Sequence, residues 1–158
     1  RDYYASRGLG DVYKRQFIIV KITNLELIRL NYGEEIVAEA ERKVAEILVE
    51  NRKEGDICGI FREGEFVLFA DHTNFDLVRA YGNVRAYVKE LNDKLKECCL
   101  DDDRGYIKCA VGASVYPETS DDYDELYEMA EKACEKAEHS EDARAVIYDK
   151  KEEEVSRS

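Results

Sequence analysis

The sequence predicts an α+β fold in which helices pack on a single sheet, akin to ferredoxin-like topologies. Three observations carry this reading. Apolar residues recur at helical spacing in three long stretches. Short β-branched and aromatic runs separate those stretches. Two of the runs flank the tight tripeptide Arg62-Glu63-Gly64, a hairpin signature. The resulting order is β-α-α-β-β-α-β-α-β, which one sheet with helical cover accommodates.

Each element has its own reason. Phe17-Ile18-Ile19-Val20-Lys21-Ile22-Thr23 reads as a buried strand. Asn24 is placed to cap a short helix in which Leu25, Ile28 and Leu30 are expected to pack, and Gly33 stops it. A long helix follows over 34–52, with Ile36, Val37, Ala40, Val44, Ile47 and Leu48 on one face. Strands at 56–61 and 65–70 form the hairpin. Asn74 caps a second long helix over 75–98, and Asp101-Asp102-Asp103-Arg104-Gly105 reads as a solvated loop. Residues 106–116 make a strand that Pro117 ends. Asp121 or Asp122 opens a third helix through Leu126, Met129, Ala130, Ala133 and Ala137, and 144–148 is the last strand.

The two ends differ from this domain of 17–149. Residues 1–16 show no apolar period, and Asp11-Val12-Tyr13-Lys14-Arg15-Gln16 looks like a translated sequencing-adapter end; the segment is expected to be non-native or disordered and outside the fold. Residues 150–158 are charged and read as the start of a linker helix to a missing downstream domain.

Composition narrows the function. A chain of 158 residues suits one domain. No apolar run approaches the ~20 residues that cross a bilayer, so no membrane contact is expected. A formal net charge of -12 repels nucleic-acid phosphates, so nucleic acid is not expected as a partner. Five cysteines without a C-x-x-C pair, and two distant histidines, argue against zinc; reduced thiols in a cytoplasmic protein are the expectation.

Four motifs in order carry a resemblance. Lys21-Ile22-Thr23-Asn24-Leu25 followed by Asn31-Tyr32-Gly33 is similar to D-x-D-N-F and Y-G. Ile60-Phe61-Arg62-Glu63-Gly64-Glu65-Phe66 stands where a family has R-x-G-G-D-E-F. Ala110-Val111-Gly112-Ala113-Ser114-Val115-Tyr116-Pro117 matches S-I-G-V-x-x-Y-P, and Ala133-Cys134-Glu135-Lys136-Ala137-Glu138 matches A-L-Y-x-A-K. Together they resemble the GGDEF domain, the catalytic module of diguanylate cyclases. The resemblance implies a central, mainly antiparallel five-stranded sheet flanked by helices, a nucleotidyl-cyclase-like palm.

It also implies lost chemistry. Cyclases of this family join two GTP molecules with magnesium held by carboxylates. The family's first metal-binding Asp falls on Lys21 and its second acidic ligand on Gly64, while Glu65 and Phe66 remain. The two signature glycines become Arg62 and Glu63, and the phosphate-binding Lys and Arg fall on Glu138 and Asp142. No metal and no cofactor is therefore expected, with magnesium only if catalysis persists. Asn24 matches a guanine-contacting Asn, although a plain helix cap is the simpler reading, and the second guanine contact falls on Leu30. The inhibitory R-x-x-D motif leaves a remnant at Lys53 and Asp56, where a plain helix C-terminus is the simpler reading. The expected function is a catalytically inactive regulatory or dimerisation module in cyclic-di-GMP signalling. Its implied partner is a downstream EAL phosphodiesterase domain, with a homodimer and bound GTP as further possibilities. The alternatives are a GTP sensor without turnover and a residual cyclase.

Overall fold

The computed structural model describes residues 15–52, 56–71, 77–116, 123–140 and 145–147. Nine elements follow in the expected order: β1 (Arg15–Ile22), α1 (Leu25–Tyr32), α2 (Glu34–Glu50), β2 (Ile57–Arg62), β3 (Glu65–Asp71), α3 (Leu77–Lys96), β4 (Cys109–Tyr116), α4 (Tyr123–Glu138) and β5 (Ala145–Ile147). The strands form one sheet in the order β2-β3-β1-β4-β5. Every pairing is antiparallel except β4 with β5, which is parallel over three residue pairs.

The alternation of the strands builds two cores. Ile18, Val20 and Ile22 of β1 join Phe66 and Leu68 of β3 and Val111 and Ala113 of β4 on one face, beneath α1, α2 and α3. Ile19 and Ala110 turn to the other face and meet Ala130, Cys134 and Ala137 of α4. β1 is central and apolar on both sides, which is why its sequence reads as a near-continuous hydrophobic run. Burial of each large aliphatic side chain here contributes roughly 1.5–3 kcal/mol.

The second core is thin because α4 lies directly on β4. A Cβ built on Gly112 would sit 2.1 Å from the Cys134 nitrogen and 2.4 Å from the Ala130 carbonyl oxygen. Small residues on α4 and none at all on Gly112 permit this approach. The Ser114 hydroxyl, fully buried, donates to the Leu126 carbonyl at 2.6 Å and fixes the helix along the strand.

Several boundaries move. β1 opens at Arg15, two residues before Phe17, and Gln16 is fully buried while pairing with both β3 and β4; the segment expected to lie outside the fold thus gives its last two residues to the sheet. β4 starts at Cys109 rather than residue 106, because Tyr106 and Ile107 pair with Cys99 and Cys98, while Lys108 bonds to Thr23 and the Asn24 side chain. Asp102 and Asp103 both take positive φ, 59° and 56°, making a hairpin turn of the expected solvated loop. Leu100 N–H then donates to Gly105 O and Ile107 N–H to Cys98 O. Leu30 does not pack: it is 82% exposed. At five residues beyond Leu25 it has turned about 140° around the helix from the buried stripe. The capping residue Asn74, Pro117, Asp142 and the segment 150–158 lie outside the described residues.

β2 is a sheet edge with a single charge, Arg62, among its six residues. Its Ile57, Ile60 and Phe61 are all at least half exposed. A bulge at Phe61 shifts the register so that Arg62 faces Glu65 across the turn.

Candidate functional site at the hairpin tip

The end of β1, the β2–β3 turn and the last turn of α4 converge. Lys21 lies directly across from Glu65 on the neighbouring strand. Its Nζ is 2.8 Å from Glu138 Oε2 at the end of α4. Arg62 Nε in turn is 3.2 Å from Glu65 Oε2. The four residues form an alternating chain, Glu138, Lys21, Glu65, Arg62, whose charges sum to zero. The hydrogen bond from Lys21 to Glu138 is the largest influence on the ammonium and holds its pKa above the ordinary lysine value, with Glu65 adding to it.

The tip itself is clamped to two helices. Glu63 pairs with Arg29 of α1, which also binds Glu26 and, at 2.6 Å, Glu34. These carboxylates raise the guanidinium pKa, Glu63 foremost. The backbone N–H of Gly64 donates to Glu41 Oε2 of α2 at 2.9 Å, and its carbonyl accepts from Ile22 N–H at 2.8 Å. Gly64 has φ +75°, so the turn itself demands a residue that tolerates the left-handed region. Its presence where a metal-binding acid was expected therefore has a backbone reason. Phe66, two residues on, is buried in the core.

Asn24 does not cap α1 with its side chain. Instead its Nδ2 donates to Tyr106 O and its Oδ1 accepts from Lys108 N–H, both at 3.0 Å. Thr23 N–H donates to Lys108 O at 2.8 Å. The amide thus continues the β1–β4 ladder past the point where the main chain leaves it. This replaces the capping reading and occupies the group assigned to guanine. Leu30, the second assigned contact, faces solvent.

The inhibitory-site remnant is divided. Lys53 lies outside the described residues. Asp56 is 6% exposed, with the Tyr87 hydroxyl 3.4 Å from its Oδ2 and 3.2 Å from Asn51 O. Burial first, then the nearby Asp56 charge, raises the Tyr87 pKa. Asp56 is therefore a core group joining β2's start to α3. Beside it, a polar cleft of about 270 Å³ is lined by Glu50, Asn51, Arg52, Tyr87, Glu90, Leu91 and Lys94.

The donor set at the tip does not fit magnesium. Glu65 is the one carboxylate left from the signature acids, and two cationic side chains flank it. Among the described residues, no three His, Cys, Asp or Glu side chains converge as a metal cradle. Nor, among those residues, is any helix long and apolar enough to cross a membrane. The Arg29 clamp and the Lys21–Glu138 pair escaped the sequence reading, since both join elements distant along the chain.

Comparison with known proteins agrees with this architecture. Residues 7–144 match the family model described as diguanylate cyclase, GGDEF domain. The fold is similar to the active GGEEF domain of a diguanylate cyclase from Vibrio cholerae, with TM-score 0.72, 17% identity, and 92% of this chain and 88% of that one covered. It is also similar to the GGDEF domain of DgcB from Caulobacter crescentus in complex with c-di-GMP, with TM-score 0.72, 14% identity, and 93% and 83% covered. An EAL/GGDEF domain protein from M. capsulatus gives TM-score 0.71 at 14% identity, with 85% and 84% covered. No curated protein matches significantly.

Proposed function

As the chain belongs to the GGDEF domain family of diguanylate cyclases, we propose that it is a catalytically inactive member serving as a regulatory or dimerisation module in cyclic-di-GMP signalling. The observation that carries this reading is the alternating chain Glu138, Lys21, Glu65, Arg62. The two positions where the family has a metal-binding Asp and a phosphate-binding Lys hold residues of opposite sign, and these two neutralise one another. A divalent cation entering there meets the Lys21 ammonium, and a triphosphate meets the Glu138 carboxylate. In this reading the module is cytoplasmic and works through a joined EAL phosphodiesterase domain or a second copy of itself.

A GTP sensor without turnover is the second reading. It weakens because Asn24 already uses both ends of its amide on the backbone of Tyr106 and Lys108. A nucleotide would have to displace two hydrogen bonds, each contributing about 1 kcal/mol.

Purified chain incubated with GTP and magnesium or manganese tests both. We expect no cyclic-di-GMP by chromatography and no saturable GTP binding by calorimetry. Product formation that disappears in Glu65→Ala would overturn the proposal in favour of a residual cyclase. Binding without product, lost in Asn24→Ala, would establish the sensor.

A further inference from the structure

We propose that a second site, between the end of α3 and the residues leading into β4, binds a compact apolar carboxylate. Among the described residues a cleft of about 300 Å³ opens between the end of α3 and the residues that lead into β4. That volume lies at the small end of ligand sites, which span roughly 300–1,000 Å³. Leu95, Ile107 and Cys109 form a floor that is apolar and almost wholly buried. Tyr106, 64% exposed, makes one wall. Lys96 and Lys108, both exposed, stand at the rim.

Charge selects the occupant. The chain carries -12 overall; among the described residues Lys21, Lys43 and Lys94 are each paired with a carboxylate, Lys89, Lys132 and Lys136 are not, and of the described lysines Lys96 and Lys108 border this cleft. Lys96 and Lys108 have no carboxylate partner among the described residues. Two unneutralised ammonium groups over an apolar floor complement a molecule with an aliphatic or aromatic body and one anionic head. The wall is held in place, since Asn24 binds Tyr106 O and Lys108 N–H on its far side. The site is distinct from the hairpin tip and stands whether or not the chain makes cyclic-di-GMP.

Fluorescence titration of the whole chain with anilinonaphthalene sulfonate, displaced by octanoate or octanol, tests the site. Saturable binding of the dye is expected, with octanoate displacing it at concentrations about tenfold lower than octanol, which has the same tail and no charge. Reversing both rim charges in Lys96→Glu/Lys108→Glu should weaken octanoate by about tenfold while leaving the near-ultraviolet circular dichroism unchanged. In the unsubstituted protein, amide chemical-shift changes on adding octanoate should centre on Tyr106, Lys108 and Lys96. Equal displacement by octanol would overturn the proposal, as would an unaltered affinity in the double variant. So would shifts centred on the exposed β2 residues Ile57 and Phe61.

Discussion

Gly112 and Lys21 occupy the same face of neighbouring strands, and α4 passes over both. Cys134 crosses Gly112, and Glu138, one turn further, meets Lys21. Yet the two contacts obey different constraints. At Gly112 the helix backbone is so close that no side chain fits, and the family's glycine stands unchanged at that place in the motif. At Lys21 the contact is made by long, partly exposed side chains that can change sign together. The Gly112 contact is fixed by excluded volume, whereas the Lys21–Glu138 contact is set by charge balance, and only the second leaves room for a change of side chain while the fold persists.

Three experiments would break or sharpen this contrast. The largest effect is expected from Gly112→Ala, which should lose about 3 kcal/mol or more in urea unfolding, because the new methyl collides with the α4 backbone at Ala130 and Cys134. A loss below about 1 kcal/mol would mean that α4 lifts freely from β4.

The second concerns pH. Burial pushes the Cys134 thiol up to about 12, and the Glu138 hydrogen bond raises Lys21. Both groups hold their protons more tightly when folded. Their contributions are complete at neutral pH and fall as pH rises past the unfolded values, 9.0 for the thiol and then 10.5 for the amine. Burial raises the Cys58 and Cys98 thiols as well, so urea midpoints should drop by the equivalent of at least about 1.4 kcal/mol near pH 10, and Cys134→Ala should reduce that slope without abolishing it. A slope unchanged in the variant would place the alkaline transition elsewhere.

The smallest effect is the ion pair itself. Lys21→Glu and Glu138→Lys should each destabilise, since either puts like charges together, and the double exchange should recover only part of the loss, because a carboxylate at position 21 still faces Glu65. Because the Lys21 side chain is 40% exposed, solvent screens the pair and the coupling should not exceed about 1 kcal/mol. Additive losses would show that the two residues do not act as a pair.

The element order was legible because periods of two and of 3.6 residues are local properties of the chain. So was the hairpin, since Gly64 and its flanking strands are adjacent. What was not legible depends on contacts between distant segments. Asn24 read as a cap because capping is the local use of an Asn before a helix. Its actual partners, Tyr106 and Lys108, are more than eighty residues away. Lys21 and Glu138 are far apart along the chain, and only the sheet and α4 together show them as one ion pair. Leu30 departs from its expected place for a different reason: its angle around α1 turns it away from the stripe of Leu25 and Ile28, which apolar character alone does not reveal. The buried role of Asp56 was also hidden, as it depends on Tyr87 of α3.

Among the described residues β2 has no strand on its outer side. Its exposed Ile57, Ile60 and Phe61 make an apolar edge, the kind of feature by which copies add to one another. Mutual repulsion of chains carrying -12 opposes that addition. As acidity approaches the isoelectric point near 4.7, the repulsion disappears while the apolar edge remains. Colloidal behaviour of this domain is thus governed by its acidic coat, and precipitation in mild acid is the natural outcome of a strand with no outer neighbour among the described residues.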